Sequence, residues 1–505
     1  MPHRGRSGLE SRRLKHVPDL EDPPLATATV TTPHPIYLAG RWVESPDVLV
    51  VADPAHPETP AGATYTATEA QYEEAVAAAV TGFELTRQMS SMERSRALHH
   101  ISDGIRARRE ELARVIARES GKPIRDALGE VDRAILTFRL GAEEAERITG
   151  ETIPLDLNAA SRGRVGITRR FPIGPVAAIS PFNFPLNLAA HKIAPAIAAG
   201  CSIVLKPPSR DPLTMLTVAE IIDEAGLPPG ALSILPMDRT LGDRLVEDER
   251  FKLLSFTGSP SVGWSMKARA GKKKVVLELG GNAGAIVDAS ADLDWALKRT
   301  LMGAFSFSGQ VCVSVQRLFV HESVWSSFMD RFVAGAAALT IGDPMDPETQ
   351  LGPMVDAESA QRTQRWVDEA IAAGGRALAG GRADGQSFPA TVLVDVPRDA
   401  KVCSMEAFAP LVVAFPFSDF EAVITAVNDS DFGLQAGVFT NDLGHAWRAF
   451  EELQVGGVII NDVPTYRIDN MPYGGVKDSG LGREGLRWAI EDMTEIKIMV
   501  MAQPA

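Results

Sequence analysis

Apolar residues in the first third of the chain recur at helical spacing. Leu98, Ile101, Ile105, Leu112, Val115 and Ile116 predict a single buried stripe that Gly121 and Pro123 bring to a stop. Thr68 with Gln71, and Ser90 with Glu93, stand at capping-box spacing, where each side chain satisfies the other residue's backbone N–H. Folded sequence is expected to begin near Ile36-Tyr37-Leu38, followed by a turn over Ala39-Gly40-Arg41-Trp42. From about residue 165 the period shortens. Runs at 176–180, 202–205, 232–235 and 253–256 are short and almost wholly apolar, with a helix over 213–225 between the second and third. Continuous apolar strands separated by helices imply a parallel sheet covered on both faces. Such a sheet takes ligands at the carboxyl ends of its strands. A second α/β set is expected from about Val275, with a helix over 292–307, a strand over 315–320 and a helix over 324–339. The run 491–501 reads as a terminal strand that would join 168–171 in a protruding extension.

Composition narrows the class. A chain of 505 residues, 45% apolar and 23% charged, is that of an ordinary globular protein of about three domains. A net charge of -14 argues against general nucleic-acid binding. Three cysteines (Cys201, Cys312, Cys403) are too few for a disulfide framework and lack metal-ligand spacing, so no metal site and a reducing, cytoplasmic setting are expected. No apolar run reaches the roughly 20 residues a membrane helix needs. The first 35 residues differ: Arg4, Arg6, Arg12, Arg13 and Lys15 precede a Pro/Thr-rich segment, without the apolar core of a secretion signal. A disordered arm over 1–35 is expected, with an organelle presequence as the alternative.

Five places hold candidate chemistry. Cys312 stands in Ser308-Gly309-Gln310-Val311-Cys312-Val313, where small residues allow a ligand to approach the thiol; a buried cysteine acting as a small hydrophobe is the blander reading. Asn183 lies on a loop stiffened by Pro181 and Pro185, suited to donate to a developing oxyanion or simply to satisfy the turn. Glu278 sits within the apolar strand Val275-Val276-Leu277-Glu278-Leu279, followed by Gly280-Gly281, and must either find an ion pair or serve as a base. Lys206 ends the 202–205 strand, facing hydroxyls or phosphates, or snorkelling to solvent. Phe256-Thr257-Gly258-Ser259-Pro260 runs from strand into helix and offers N–H groups to a phosphate, without the dinucleotide fingerprint.

Taken together, these pieces resemble the NAD(P)-dependent aldehyde dehydrogenase superfamily, most nearly its lactaldehyde and succinate-semialdehyde branch. The matching stretches are Pro181-Phe182-Asn183-Phe184-Pro185, Lys206-Pro207-Pro208-Ser209, Phe256-Thr257-Gly258-Ser259 and Leu277-Glu278-Leu279-Gly280-Gly281. Gly309-Gln310-Val311-Cys312, Glu406-Ala407-Phe408-Ala409-Pro410 and Pro472-Tyr473-Gly474-Gly475-Val476-Lys477 complete the set, and the 34-residue step from Glu278 to Cys312 matches as well. The resemblance implies an α/β fold: a Rossmann-type nucleotide-binding domain (36–152 and 173–277), an α/β catalytic domain (278–490) and a small β oligomerisation extension (153–172 and 491–505). A homodimer or homotetramer is implied with it.

The resemblance also implies roles. Cys312 would be the nucleophile, Asn183 and the Cys312 N–H the oxyanion donors, and Glu278 the base that activates water. Lys206 would reach the adenosine ribose, Gly258 and Ser259 the pyrophosphate, Glu406 the nicotinamide ribose, and Phe408 the nicotinamide ring. At Ser209, relatives that prefer NAD often carry a glutamate. Ser209 removes a charge that would repel a 2′-phosphate and Arg210 adjoins it, so NADP is expected to be accepted beside NAD. A second departure is Ala409, where glycine is usual. Val311 and Val313 flank the nucleophile and argue against a phosphate bound there. Arg467, in the loop that lines the substrate mouth of relatives, would pair with an acidic tail on the aldehyde, or else form a structural ion pair with Asp469 or a neighbouring subunit. Transfer of the acyl group to coenzyme A and a non-catalytic member of the fold are the competing readings.

Overall fold

The computed structural model describes residues 32–502. The arm expected over 1–35 falls outside the described residues except at its end, where His34 already bridges to Thr64. Two sheets organise the rest. The first runs in spatial order Arg41–Val43, Ile36–Leu38, Leu232–Ile234, Ile203–Lys206, Val176–Ile179, Leu253–Thr257, Lys274–Glu278 and Gly480–Leu481. Its five central strands are parallel and its edges antiparallel. The chain enters at Val176–Ile179, steps outward through the next two strands, then crosses to Leu253–Thr257 on the other side. The order reverses between Val176–Ile179 and Leu253–Thr257, the place where a sheet of this kind opens a crevice beyond its carboxyl ends.

Burial explains why these strands look apolar throughout. Val176 and Ala178 pack into one core cluster, Ala177 and Ile179 into another on the opposite face, so alternate residues meet different helices and neither face sees water. The helix Asn187–Ala199 is buried at every position. It therefore carries no polar stripe, and its two charged or titratable members, His191 and Lys192, are paired inside the protein.

The second sheet runs Arg376–Ala379, Thr391–Val394, Leu411–Phe417, Val315–His321, Ala283–Val287, Gln435–Phe439 and Gly457–Ile460, all parallel except the first. A third, antiparallel sheet joins Thr494–Ala502 to Arg164–Pro172 over nine paired positions, with Thr152–Pro154 on its far side. Ile496, Ile498, Met499 and Val500 of that sheet are exposed. Among the described residues no helix is long and apolar enough to cross a membrane.

Two expectations need correcting. The stripe from Leu98 to Ile116 belongs to two helices, Ser91–Ala107 and Arg109–Ser120, because Arg108 leaves helical geometry (φ -105°, ψ 23°). Its guanidinium bonds Glu111 and Glu220 instead. The strand Lys274–Glu278 belongs to the first sheet, pairing in parallel with Leu253–Thr257, and the second sheet begins only at Ala283. Hydrophobicity marks both runs as strands but carries no record of which partner each will find. As a result Glu278 stands at the seam where the chain leaves one sheet for the other.

Candidate active site

A cleft of about 510 Å³ opens where the two sheets meet. The first sheet contributes loops beyond its carboxyl ends: Asn183, Ser209 and Arg210, Gly258 and Ser259, and Glu278. The second contributes residues that precede its strands: Cys312 before Val315–His321, and Glu406 and Phe408 before Leu411–Phe417. Asn183, Glu278 and Cys312, remote along the chain, line the same cavity.

Cys312 is reached through a strained turn. Phe307 (φ 47°), Ser308 (φ 52°) and Gly309 (φ 66°) are successive left-handed residues, a conformation that costs a non-glycine residue about 1–2 kcal/mol. The surroundings hold it in place. The Phe307 N–H donates to Asp126 at 3.1 Å, the Ser308 hydroxyl to the Gly352 carbonyl at 2.7 Å, and the Val355 N–H to the Gln310 side chain at 2.9 Å. A Cβ at position 309 would strike the Ala409 carbonyl, so the turn lies directly on the Glu406–Pro410 loop. The Asn183 amide donates to the Gln310 carbonyl at 3.0 Å, which ties the oxyanion candidate to the same turn. The Cys312 sulfur lies 3.0 Å from the Tyr473 hydroxyl. Burial pushes the thiol up to about 12, against the hydrogen bond from Tyr473, which lowers it.

Glu278 has 3% of its surface exposed and no hydrogen bond to either carboxylate oxygen. Burial, reinforced by the nearby charge of Glu484, holds its carboxyl well above the ordinary carboxylate range; Arg467, Lys192 and Arg483 pull the other way. The ion pair that would have made this residue structural is not formed. Close backbone approach packs the site: a Cβ at Gly474 would come within 2.8 Å of Glu278, and one at Gly281 within 2.5 Å of the Cys312 carbonyl.

Gly258 and Ser259 line the rest of the cleft, and Ser259 stands at the N-cap of the helix Pro260–Arg269 with no capping bond from its side chain, at a helix N-terminus that favours an anion. Lys206 is not itself among the residues lining the cleft, but it donates to the Ser209 hydroxyl, which is, at 3.1 Å. Arg210 pairs with Asp356 at 2.7 Å. Glu406 accepts from the Gly281 N–H at 3.0 Å and is pushed up to about 7 by burial, and Phe408 (φ 49°) meets Phe182 edge-on at 5.8 Å.

The three substrate candidates lie elsewhere. Val313 is buried in a small cluster with Leu434 and Tyr473, with Val311 packed against it. Arg467 is 6% exposed on its side chain, ion-pairs with Glu484 at 3.0 Å, approaches Asp469 at 3.9 Å, and lies over the Tyr473 ring at 3.8 Å. None of the three is among the residues lining the cleft. Arg467 lies against the Tyr473 ring, and its closest ion pair is with Glu484, with Asp469, the partner expected from the sequence, farther off at 3.9 Å. Two residues at the site gave no chemical signal in the sequence. Arg362 lines the cleft from a helix whose pattern reads as surface, and Lys122 lies wholly buried, paired with Glu130 and donating to the Asn183 carbonyl at 2.7 Å. Tyr473 was legible only as part of a glycine-flanked motif.

A family model described as the aldehyde dehydrogenase family matches residues 42–499. A 3-sulfolactaldehyde dehydrogenase from Priestia aryabhattai is 42% identical over 94% of this chain and 100% of its own length. Aldehyde dehydrogenase 21 from Physcomitrella patens, solved in complex with the reaction product succinate, superposes with a TM-score of 0.92 at 47% identity, over 94% of this chain and 99% of that one. A glyceraldehyde-3-phosphate dehydrogenase from Methanocaldococcus jannaschii complexed with NADP gives a TM-score of 0.86 at 39% identity, over 90% of this chain and 99% of that one.

The state of Glu278 can be tested without any assay of turnover. Glu278→Gln removes a carboxyl whose ionised form is disfavoured in the folded chain but free in the unfolded one. It is expected to raise the urea-unfolding free energy at neutral pH, by about 1.4 kcal/mol for each pH unit by which the folded group titrates above the unfolded one. A loss of about 3–5 kcal/mol, the cost of breaking a buried ion pair, would show an ionised and paired carboxylate.

Proposed function

Because the chain belongs to the aldehyde dehydrogenase family, we propose that it oxidises a small polar aldehyde to the carboxylic acid with NAD or NADP, through a covalent intermediate on Cys312 that Glu278 releases. The observation that carries this reading is an unpartnered carboxyl and a thiol lining one cavity. The Cys312 thiol first gives its proton to solvent; the thiolate then attacks the aldehyde carbon as the carbonyl π bond breaks, and the carbonyl oxygen becomes an oxyanion. Asn183 spends one amide N–H on the Gln310 carbonyl and has a second to give, beside the backbone N–H of Cys312. The bound nicotinamide supplies the hydride acceptor. Loss of hydride leaves a thioester on Cys312. Glu278 then takes a proton from water as the water oxygen attacks the thioester carbon, the C–S bond breaks, and the acid departs. A base must be ionised to act, and a carboxyl raised above its usual range is a stronger base than a solvated one.

For the cofactor, Ser259 and the N–H groups around Gly258 would hold the pyrophosphate. Glu406 would hold the nicotinamide ribose, Phe408 would pack on the ring, and Lys206 with Ser209 would meet the adenosine ribose. Arg210, next to Ser209 at the cleft wall, supports acceptance of a 2′-phosphate. Residues 36–152 with 173–277 and residues 278–490 would be the nucleotide-binding and catalytic domains. The exposed apolar strand Thr494–Ala502 would be the surface for pairing with further copies of the chain.

Two measurements follow. A panel of 3-sulfolactaldehyde, lactaldehyde and succinate semialdehyde should yield reduced cofactor in wild type, while Glu278→Gln should give a single burst of about one equivalent and then a rate lowered at least a hundredfold. Full turnover by Glu278→Gln, or an acyl-CoA product formed only when coenzyme A is added, would contradict water-mediated release; no reduced cofactor with any aldehyde would favour a non-catalytic member. The second concerns cofactor choice. The ratio of kcat/KM for NAD over NADP is expected to stay below roughly a hundredfold, about 2.7 kcal/mol, and a larger ratio would remove the role given to Ser209 and Arg210.

A further inference from the structure

Tyr473 touches the proposed nucleophile and has no role in the reaction described so far. Its hydroxyl lies 3.0 Å from the Cys312 sulfur. The ring is buried against Val313 and Leu434, and its loop is pinned by Gly474 (φ +152°), whose missing side chain makes room for Glu278. On the ring face stands the Arg467 guanidinium, 3.8 Å from the centroid and held there by its ion pair with Glu484 at 3.0 Å. A cation on the face of a phenol draws electron density from the ring and makes the O–H a better donor.

We propose that Tyr473 is a catalytic residue: its hydroxyl donates to the Cys312 sulfur and stabilises the thiolate, with Arg467 as the positioning residue that fixes and polarises the ring. The inference rests on the Cys312 reading and adds a donor to it. The groups facing the sulfur act in both directions: Glu406 and Glu278 disfavour the thiolate, whereas Tyr473 and Arg467 favour it. Burial and the adjacent sulfur keep the Tyr473 proton in place, so the phenol remains a donor. A hydrogen bond from a neutral donor to a charged sulfur is among the stronger kind. It needs no side-chain motion here, since the ring is already packed.

The test is the rate at which iodoacetamide alkylates Cys312, read on the peptide that contains it, between about pH 7 and 9. In that reaction the thiolate forms the C–S bond as iodide leaves. Tyr473→Phe keeps the ring and removes the donor. Thiolate becomes scarcer but intrinsically more nucleophilic, so the rate is expected to fall about three- to tenfold. NADP affinity, followed by quenching of protein fluorescence, should be unchanged. A fluorinated tyrosine placed at 473, a stronger donor of nearly the same shape, is expected to raise the alkylation rate. Unchanged alkylation in both variants would overturn the proposal. Should Tyr473→Phe lose NADP binding, the fluorinated variant decides alone: a faster rate supports the donor and an unchanged or slower one refutes it. Retention of aldehyde oxidation by Cys312→Ala would instead sink the nucleophile itself, and would leave the alkylation result standing.

Discussion

Glu278 is a carboxyl carried out of water by a central strand and left without a partner, and the arrangement around it follows from that burial. An isolated carboxylate in such a place is costly enough that the group takes up a proton instead. Three cations, Arg467, Lys192 and Arg483, stand near it, yet two of them serve another acid first. Lys192 and Arg467 pair with Glu484 at 3.2 and 3.0 Å and hold it down to about 2. With those charges committed, Glu484 presents a negative neighbour to Glu278 and the two carboxyls are driven apart in acidity. The result is a carboxyl behind the site held below the ordinary range and one lining the cleft held well above it. Two neighbouring titratable groups separated in this way are what acid–base chemistry uses, which supports the role proposed for Glu278.

The proposed nucleophile, Cys312, is placed by a different means, geometric strain supported from outside. Phe307 and Ser308 adopt left-handed backbone, as Phe408 does on the opposing loop. Isolated residues would relax. They persist because Asp126, Gly352 and Val355 bond the turn and because Gly309 lets it lie on Ala409. The loop that bears Cys312 and the loop that bears Glu406 and Phe408 thus form one contact, so thiol and cofactor loop are set relative to each other by backbone rather than by flexible side chains.

Much of this was legible in the sequence, for identifiable reasons. Strands such as Val176–Ile179 and Ile203–Lys206 announced themselves because burial on both faces leaves an apolar run. Thr68 and Ser90 marked helix starts because a cap is a local interaction, complete within four residues. The site residues carried a joint pattern. Register and sheet membership were not legible: Lys274–Glu278 was assigned to the second α/β set, since nothing in its residues names its neighbour. The sequence offers Asp469 as an ion-pair partner for Arg467 because the two are close along the chain, whereas Glu484, the nearer partner at 3.0 Å, is brought to it only by the fold. The Tyr473–Cys312 contact joins positions 161 residues apart and appears only when the fold is in hand.

The most direct test of this account is an infrared difference titration of wild type against Glu278→Gln. The account predicts a carboxylic-acid C=O band belonging to Glu278 that persists as pH rises well past the ordinary carboxyl value of 4.5. A band that vanishes near the ordinary carboxyl value of 4.5 would show an ionised Glu278 at rest, and would contradict the claim that burial without a partner prepares it as the base.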